Sequence, residues 1–143
     1  DRAMIETNLL GAMAWLNQAA LRFERAGSGN IVGISSVAGD RGRAAFPGYH
    51  TSKAGLNVYI ESVRTRIAKK GVTVTTLKPG FVQTRLLENA SKTFWVITPD
   101  DAARQIREAV AKGKQVVYTP ARWRYVMLII QHIPSFIFRR LSI

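Results

Sequence analysis

The 143 residues contain no cysteine, so neither a disulfide framework nor a thiolate zinc site is available. That usage fits a reducing compartment and sets the expectation of a cytoplasmic protein, with association to the inner face of a membrane left open. Histidine is nearly as scarce. His50 and His132 are the only two, too few for an imidazole-based metal centre, and no metal is expected. Acidic residues run out early: none follows Glu108, and the whole chain sets 21 Lys and Arg against 9 Asp and Glu, for a formal net charge of +12. A basic half of this kind suits an anionic partner. Zinc-finger spacing, an RNA-recognition aromatic signature and a helix-turn-helix pattern are all missing, however, so nucleic acid is not expected. The opening residues Asp1 to Glu6 are not a basic segment followed by a long apolar run, and no signal peptide is recognised there. The chain starts as though within a helix.

What is present is a globular balance, 47% hydrophobic and 21% charged, enough to bury one core and too apolar for a disordered chain. From Ala3 to Arg25, the residues Met4, Ile5, Leu9, Met13, Leu16, Ala20 and Phe23 recur at helical spacing and predict one long amphipathic helix. Asn8 and Gly11 sit inside it, although neither favours a helix interior. The apolar run Ile31-Val32-Gly33-Ile34 reads as a buried strand ending at Ser35. After a loop containing Arg41, Arg43 and Phe46-Pro47-Gly48, a second helix is predicted from about Tyr49 to Lys70, with Gly71 as its stop. The β-branched run from Val72 to Leu77 predicts a second strand. Phe81 to Trp95 shows no clean period and is expected to be functional or mobile. Thr98 caps a third helix that runs to Lys112, and Gln115 to Thr119 predicts a third strand.

Alternating helices and strands imply parallel pairing through right-handed crossovers, hence an α/β sheet with helices on its faces. Three strands are few for such a sheet, so more of it is expected from outside this chain or from another copy. Residues 120–143 separate from this unit, 1–119, as a basic, apolar helical tail. Its apolar stretches are interrupted by Gln131-His132 and Pro134, too short for a span of ~20 apolar residues. Two readings stay open for it: a helix packed against the core or another subunit, and a helix lying in a membrane interface as a peripheral contact.

The chemistry concentrates between Ile31 and Lys53. Ser36 follows the first strand, and Tyr49 and Lys53 are four residues apart, on one face of the predicted helix. A phenol beside an ammonium is a loaded pair, because positive charge favours the phenolate. Singly, each residue has a plainer explanation as a turn, cap or surface contact. Arg41 and Arg43 could be solvated loop residues or could face an anionic group of a substrate.

As an ordered set, these residues resemble the active-site signature of the short-chain dehydrogenase/reductase family. Ser36 stands 13 residues before Tyr49-His50-Thr51-Ser52-Lys53, and Asn8 stands 28 residues before Ser36, where the family carries a helix-borne Asn. Pro79-Gly80-Phe81-Val82-Gln83-Thr84 is similar to the family's Pro-Gly-x-Val-x-Thr segment. The resemblance runs from about Ile5 to Thr119. It implies a Rossmann-like, doubly wound parallel sheet and an NAD- or NADP-dependent enzyme interconverting a carbonyl and a secondary alcohol. It assigns Tyr49 as acid and base, Ser36 as donor to the substrate oxygen, Lys53 to Tyr49 and the nicotinamide ribose, and Asn8 to a water beside Lys53. Tyr49, Lys53, Pro79, Gly80, Val82 and Thr84 would contact the cofactor. A homodimer or homotetramer built on the helices bearing Asn8 and Tyr49 is also implied, as is a small-molecule or lipid-linked substrate.

One departure is large. The family's Gly-x-x-x-Gly-x-Gly turn, which receives the cofactor pyrophosphate, does not occur in this sequence. The expectation is therefore a C-terminal part of such an enzyme, unable to bind the cofactor alone. The alternative is a non-catalytic, dehydrogenase-derived module for oligomerisation or contact with a membrane surface.

Overall fold

A computed structural model describes residues 1–87 and 93–141. Its centre is a three-stranded parallel sheet in the order β1-β2-β3, with β1 over Gly29–Ile34, β2 over Val72–Pro79 and β3 over Val116–Thr119. Gly29 pairs with Val72 and Ile34 with Leu77; Thr76 pairs with Val116 and Pro79 with Thr119. The architecture is the expected Rossmann-like one. Because the strands share a direction, Ile34, Pro79 and Thr119 all leave the sheet at one edge, the side where open α/β sheets receive ligands.

Side chains alternate across the sheet and divide its core. Ile31 and Val74 face Leu56, Ile60, Val63 and Ile67 of helix α3 (Pro47–Ile67), with Ala20 of helix α2 (Ala12–Ala26) behind them. Gly33 has no side chain because Ile60 occupies the space a Cβ would need. On the opposite face, Leu77 and Val117 pack with Ile106 and Ala109 of helix α4 (Pro99–Ala111). Helix α4 covers β2 and β3, which leaves Ile34 of β1 58% exposed on that face.

The first helix departs from expectation. It is not one continuous α-helix: after α1 (Arg2–Ile5), residues Glu6–Gly11 form a π-helical turn that leads into α2. Asn8 and Gly11, both weak helix formers, lie in this turn, where the tight hydrogen-bond ladder gives way most easily. Helix α3 begins two residues earlier than predicted, since Pro47 fits a first helical turn. It ends at Ile67, before the left-handed Gly71 at φ 68°. Strand β2 runs on to Pro79 because Tyr118 and Thr119 of β3 continue the pairing there.

Within the stretch that showed no period, Val82 bridges to Ile97 and Arg85–Leu87 forms a 3-10 turn. The expectation for residues 88–92 lies outside the described residues. The tail forms two helices, α5 (Trp123–His132) and α6 (Ser135–Phe138), bent at Pro134. Trp123 and Met127 of α5 are buried against Val37, Phe81 and Tyr118. No described helix is long and apolar enough to cross a membrane.

Candidate active site

Ser36 comes first off β1. It caps a 3-10 turn over Val37–Gly39, its Oγ accepting from the Ala38 N–H at 3.1 Å. The same hydroxyl points across the sheet edge to the Pro79 carbonyl at 3.5 Å, a long contact that leaves it available to another acceptor. Ser36 and the Pro79-Gly80 segment, 43 residues apart, are therefore neighbours.

Helix α3 brings the second group. The Lys53 ammonium donates to the Ile34 carbonyl at 3.2 Å and lies 5.9 Å from the centre of the Tyr49 ring. Lys53 is half-buried, and burial pulls its pKa below the ordinary 10.5. Three contacts lock this helix against the end of β1. Ser35, itself buried, donates from Oγ to the Lys53 carbonyl at 3.1 Å. His50 Nδ1 lies 2.7 Å from the Ala38 carbonyl; a carbonyl only accepts, so this nitrogen carries the proton. Gly39 presses on the helix backbone so closely that an added Cβ would fall 2.7 Å from the Lys53 carbonyl and the Asn57 amide.

Arg43 is half-buried near Tyr49. Burial lowers its pKa, and the charge of the neighbouring Tyr49 opposes that shift. Arg41 does not match the expectation of an anion-facing side chain. Its guanidinium donates to the carbonyls of Gln131 at 2.7 Å and Ile133 at 3.0 Å, and stacks 4.5 Å over the Phe138 ring. The tail engages it, because the end of α5 and the adjoining Pro134 leave those carbonyls without backbone partners.

The remaining candidates are less tightly drawn in. Asn8 is half-buried on the π turn, beside Leu9, which packs on Gly55 of α3. No hydrogen bond joins Asn8 to Lys53 among the described residues. Gly80 donates its N–H to the Thr119 carbonyl at 2.9 Å and lies against the Trp123 indole. Val82 is held by its bridge to Ile97, and Thr84 is exposed, its carbonyl accepting from the Leu87 N–H at 2.9 Å.

A further cluster had no signature in the sequence. The Asp40 carboxylate pairs with Lys78 and accepts from the Tyr118 hydroxyl at 2.8 Å. It ties the loop after Ser36 to the last residues of β2 and to β3. Ser35, His50 and Lys78 each stood next to a recognised residue, but nothing local marks Asp40, Lys78 or Tyr118 as partners of one another.

The hydroxyls, ammonium and carbonyl at this edge suit the ribose and nicotinamide end of a dinucleotide. A glycine turn opening a helix, which the pyrophosphate would need, is not found among the described residues. No group of three or more His, Cys, Asp or Glu placed to hold a metal occurs among them.

Comparison with known proteins agrees with the fold. The family described as short chain dehydrogenase matches residues 2–94. An uncharacterized oxidoreductase of Mycobacterium tuberculosis is 31% identical over 139 residues, which are 97% of this chain and 56% of that protein. The chain thus spans about half the length of the curated relatives it matches. Among solved structures, a short-chain dehydrogenase of Burkholderia cenocepacia in complex with NADP superposes with a TM-score of 0.84 at 21% identity, covering 99% of this chain and 60% of that one. A 4-hydroxyisoleucine dehydrogenase complexed with NADH gives a TM-score of 0.65 at 23% identity, covering 80% and 56%. These two share the fold; one was solved with NADP and the other with NADH. With the family match running over residues 2–94, the chain belongs to the short-chain dehydrogenase/reductase family.

Proposed function

We propose that the protein works as an NAD- or NADP-dependent oxidoreductase that interconverts a carbonyl and a secondary alcohol. The observation that carries this reading is the placement of Lys53, fixed by the Ile34 carbonyl at the sheet edge and 5.9 Å from the Tyr49 ring. The nicotinamide, when bound, supplies or accepts the hydride. Tyr49 Oη gives its proton to the substrate oxygen in reduction and takes one from it in oxidation. Lys53 stabilises the phenolate left behind, and Ser36 Oγ donates to the same oxygen while charge develops on it. Asn8 holds a water near Lys53. Tyr49, Lys53, Pro79, Gly80, Val82 and Thr84 contact the ribose and nicotinamide, and Arg43 lines the substrate side.

In preparations that oxidise NADH or NADPH with a ketone, Tyr49→Phe lowers kcat by about 10²–10⁴ with little change in KM; an unchanged rate removes Tyr49 from the reaction. The 143 residues alone bring no glycine turn and are proposed to bind neither dinucleotide measurably. Calorimetric titration with each one tests this, and tight binding of either refutes it.

A second reading, oligomerisation through the helices that carry Asn8 and Tyr49, is favoured by the exposed Leu10, Trp15 and Val58, with Trp15 80% exposed. Sedimentation of Trp15→Arg beside the parent chain tests it: the same mass for both at high concentration removes this face as the contact.

A further inference from the structure

Helix α5 is apolar on two opposite sides. Trp123 and Met127 point into the core, while Tyr125, Leu128 and Ile129, spaced i, i+3 and i+4, form a stripe on the outside, with Ile129 67% exposed. A helix apolar all round is normally covered all round. The exposed character continues past the bend at Pro134 into Phe136, Ile137 and Leu141.

The charge around this surface has one sign. Arg124 flanks the α5 stripe, Arg139 and Arg140 follow α6, and all three are exposed. The last 35 residues, after Glu108, contain no acid. A two-fold contact between copies through this patch would set these arginines against themselves. An acidic surface with an apolar layer beneath it satisfies both halves of the pattern.

We propose that the outer face of α5 and α6 docks on an anionic lipid bilayer, the apolar side chains entering the acyl boundary and the three arginines meeting the headgroups. The contact is interfacial, not spanning, as the lengths of both helices require. Arg41 gives the docked face a fixed orientation, because its bonds to the Gln131 and Ile133 carbonyls brace the bend between the two helices. The membrane-facing bend is thereby tied to the loop that leads from Ser36 to Tyr49. This proposal stands independently of any reaction at Tyr49.

The test is co-sedimentation of the purified protein with vesicles of phosphatidylcholine containing about 30 mol% phosphatidylglycerol, beside vesicles of phosphatidylcholine alone. At low salt, partitioning onto the anionic vesicles is at least about tenfold stronger, and about 0.5 M salt reverses most of it. Leu128→Ser with Ile129→Ser, both at exposed positions, weakens binding about tenfold or more while the circular dichroism and melting curve stay as they were. Arg139→Glu with Arg140→Glu does the same by removing headgroup attraction. Absence of binding to anionic vesicles overturns the proposal. So does binding that both double variants retain, or a self-association that Leu128→Ser with Ile129→Ser abolishes while vesicle binding persists.

Discussion

Asp40 and Lys78, 38 residues apart, form an ion pair at 2.5 Å in which the carboxylate side chain is only 2% exposed and the lysine 14%. Asp40 follows the Ser36 turn and Lys78 precedes Pro79. The pair therefore clamps together the two segments whose hydroxyl and backbone line the candidate site. At this depth the attraction must offset substantial desolvation, so removing one partner is worse than removing both.

Lys78→Met alone should cost about 3–5 kcal/mol, because it strands the Asp40 carboxylate. Combining it with Asp40→Asn should cost less than the sum of the single changes. Urea unfolding of the two single variants and the double variant measures the coupling. Single variants that each lose under ~1 kcal/mol, in the range of a surface pair, show that the pair does not clamp the segments.

Tyr118 makes stability fall in alkali. Burial first, and then its bond to Asp40, raise the pKa of its phenol well above the ordinary 10.0. The folded protein thus holds this proton where the unfolded chain releases it. The resulting stability is fully present below the unfolded value and is lost as pH climbs from about 10 toward the folded value. Melting temperatures measured from pH 8 upward should drop less steeply above about pH 10 in Tyr118→Phe, whatever its stability at neutral pH. Parallel curves for the two proteins contradict this assignment.

Gly80 lies where a methyl group would overlap the Trp123 indole. Gly80→Ala should destabilise the protein by about 1–3 kcal/mol through overpacking. Trp123→Phe alone should also destabilise it by opening space in the cluster with Phe81 and Phe94. The double variant should be more stable than additivity predicts. Strict additivity in denaturant melts places Gly80 and Trp123 out of contact.

Arg41→Lys keeps the charge but cannot present a planar fork to two carbonyls. Hydrogen exchange at the end of α5 and in the first turn of α6 should quicken, while exchange in β1 and β2 stays unchanged. Unaltered protection there means that the bend holds without Arg41.

The parallel sheet, the order of its helices and the Ser36, Tyr49 and Lys53 set were legible because each rests on short-range spacing. Apolar periods mark elements, and a four-residue step stacks Tyr49 over Lys53 wherever the chain is helical. The π turn at Glu6–Gly11 was not legible; Asn8 and Gly11 weaken a helix without stating how the ladder relaxes. For Arg41 the sequence left open a solvated side chain or one facing a substrate, because its loop neighbours are in view there, whereas Gln131, 90 residues away, is not. Asp40, Lys78 and Tyr118 were missed for the same reason. Their pairing is a product of strand register, which brings Lys78 beside Tyr118 only after β2 and β3 have met.

Strand β1 has a sheet partner on one side only among the described residues. Its other side carries a row of unpaired amides and carbonyls, the template on which chains join edge to edge. At the last residue of this strand the Ile34 carbonyl accepts from the ammonium of Lys53, reaching in from α3. A lysine held at a strand end discourages pairing by another chain there. The ammonium that lies 5.9 Å from the Tyr49 ring thus also occupies the last carbonyl of this edge, and a neutral residue at position 53 would leave that acceptor open to another chain.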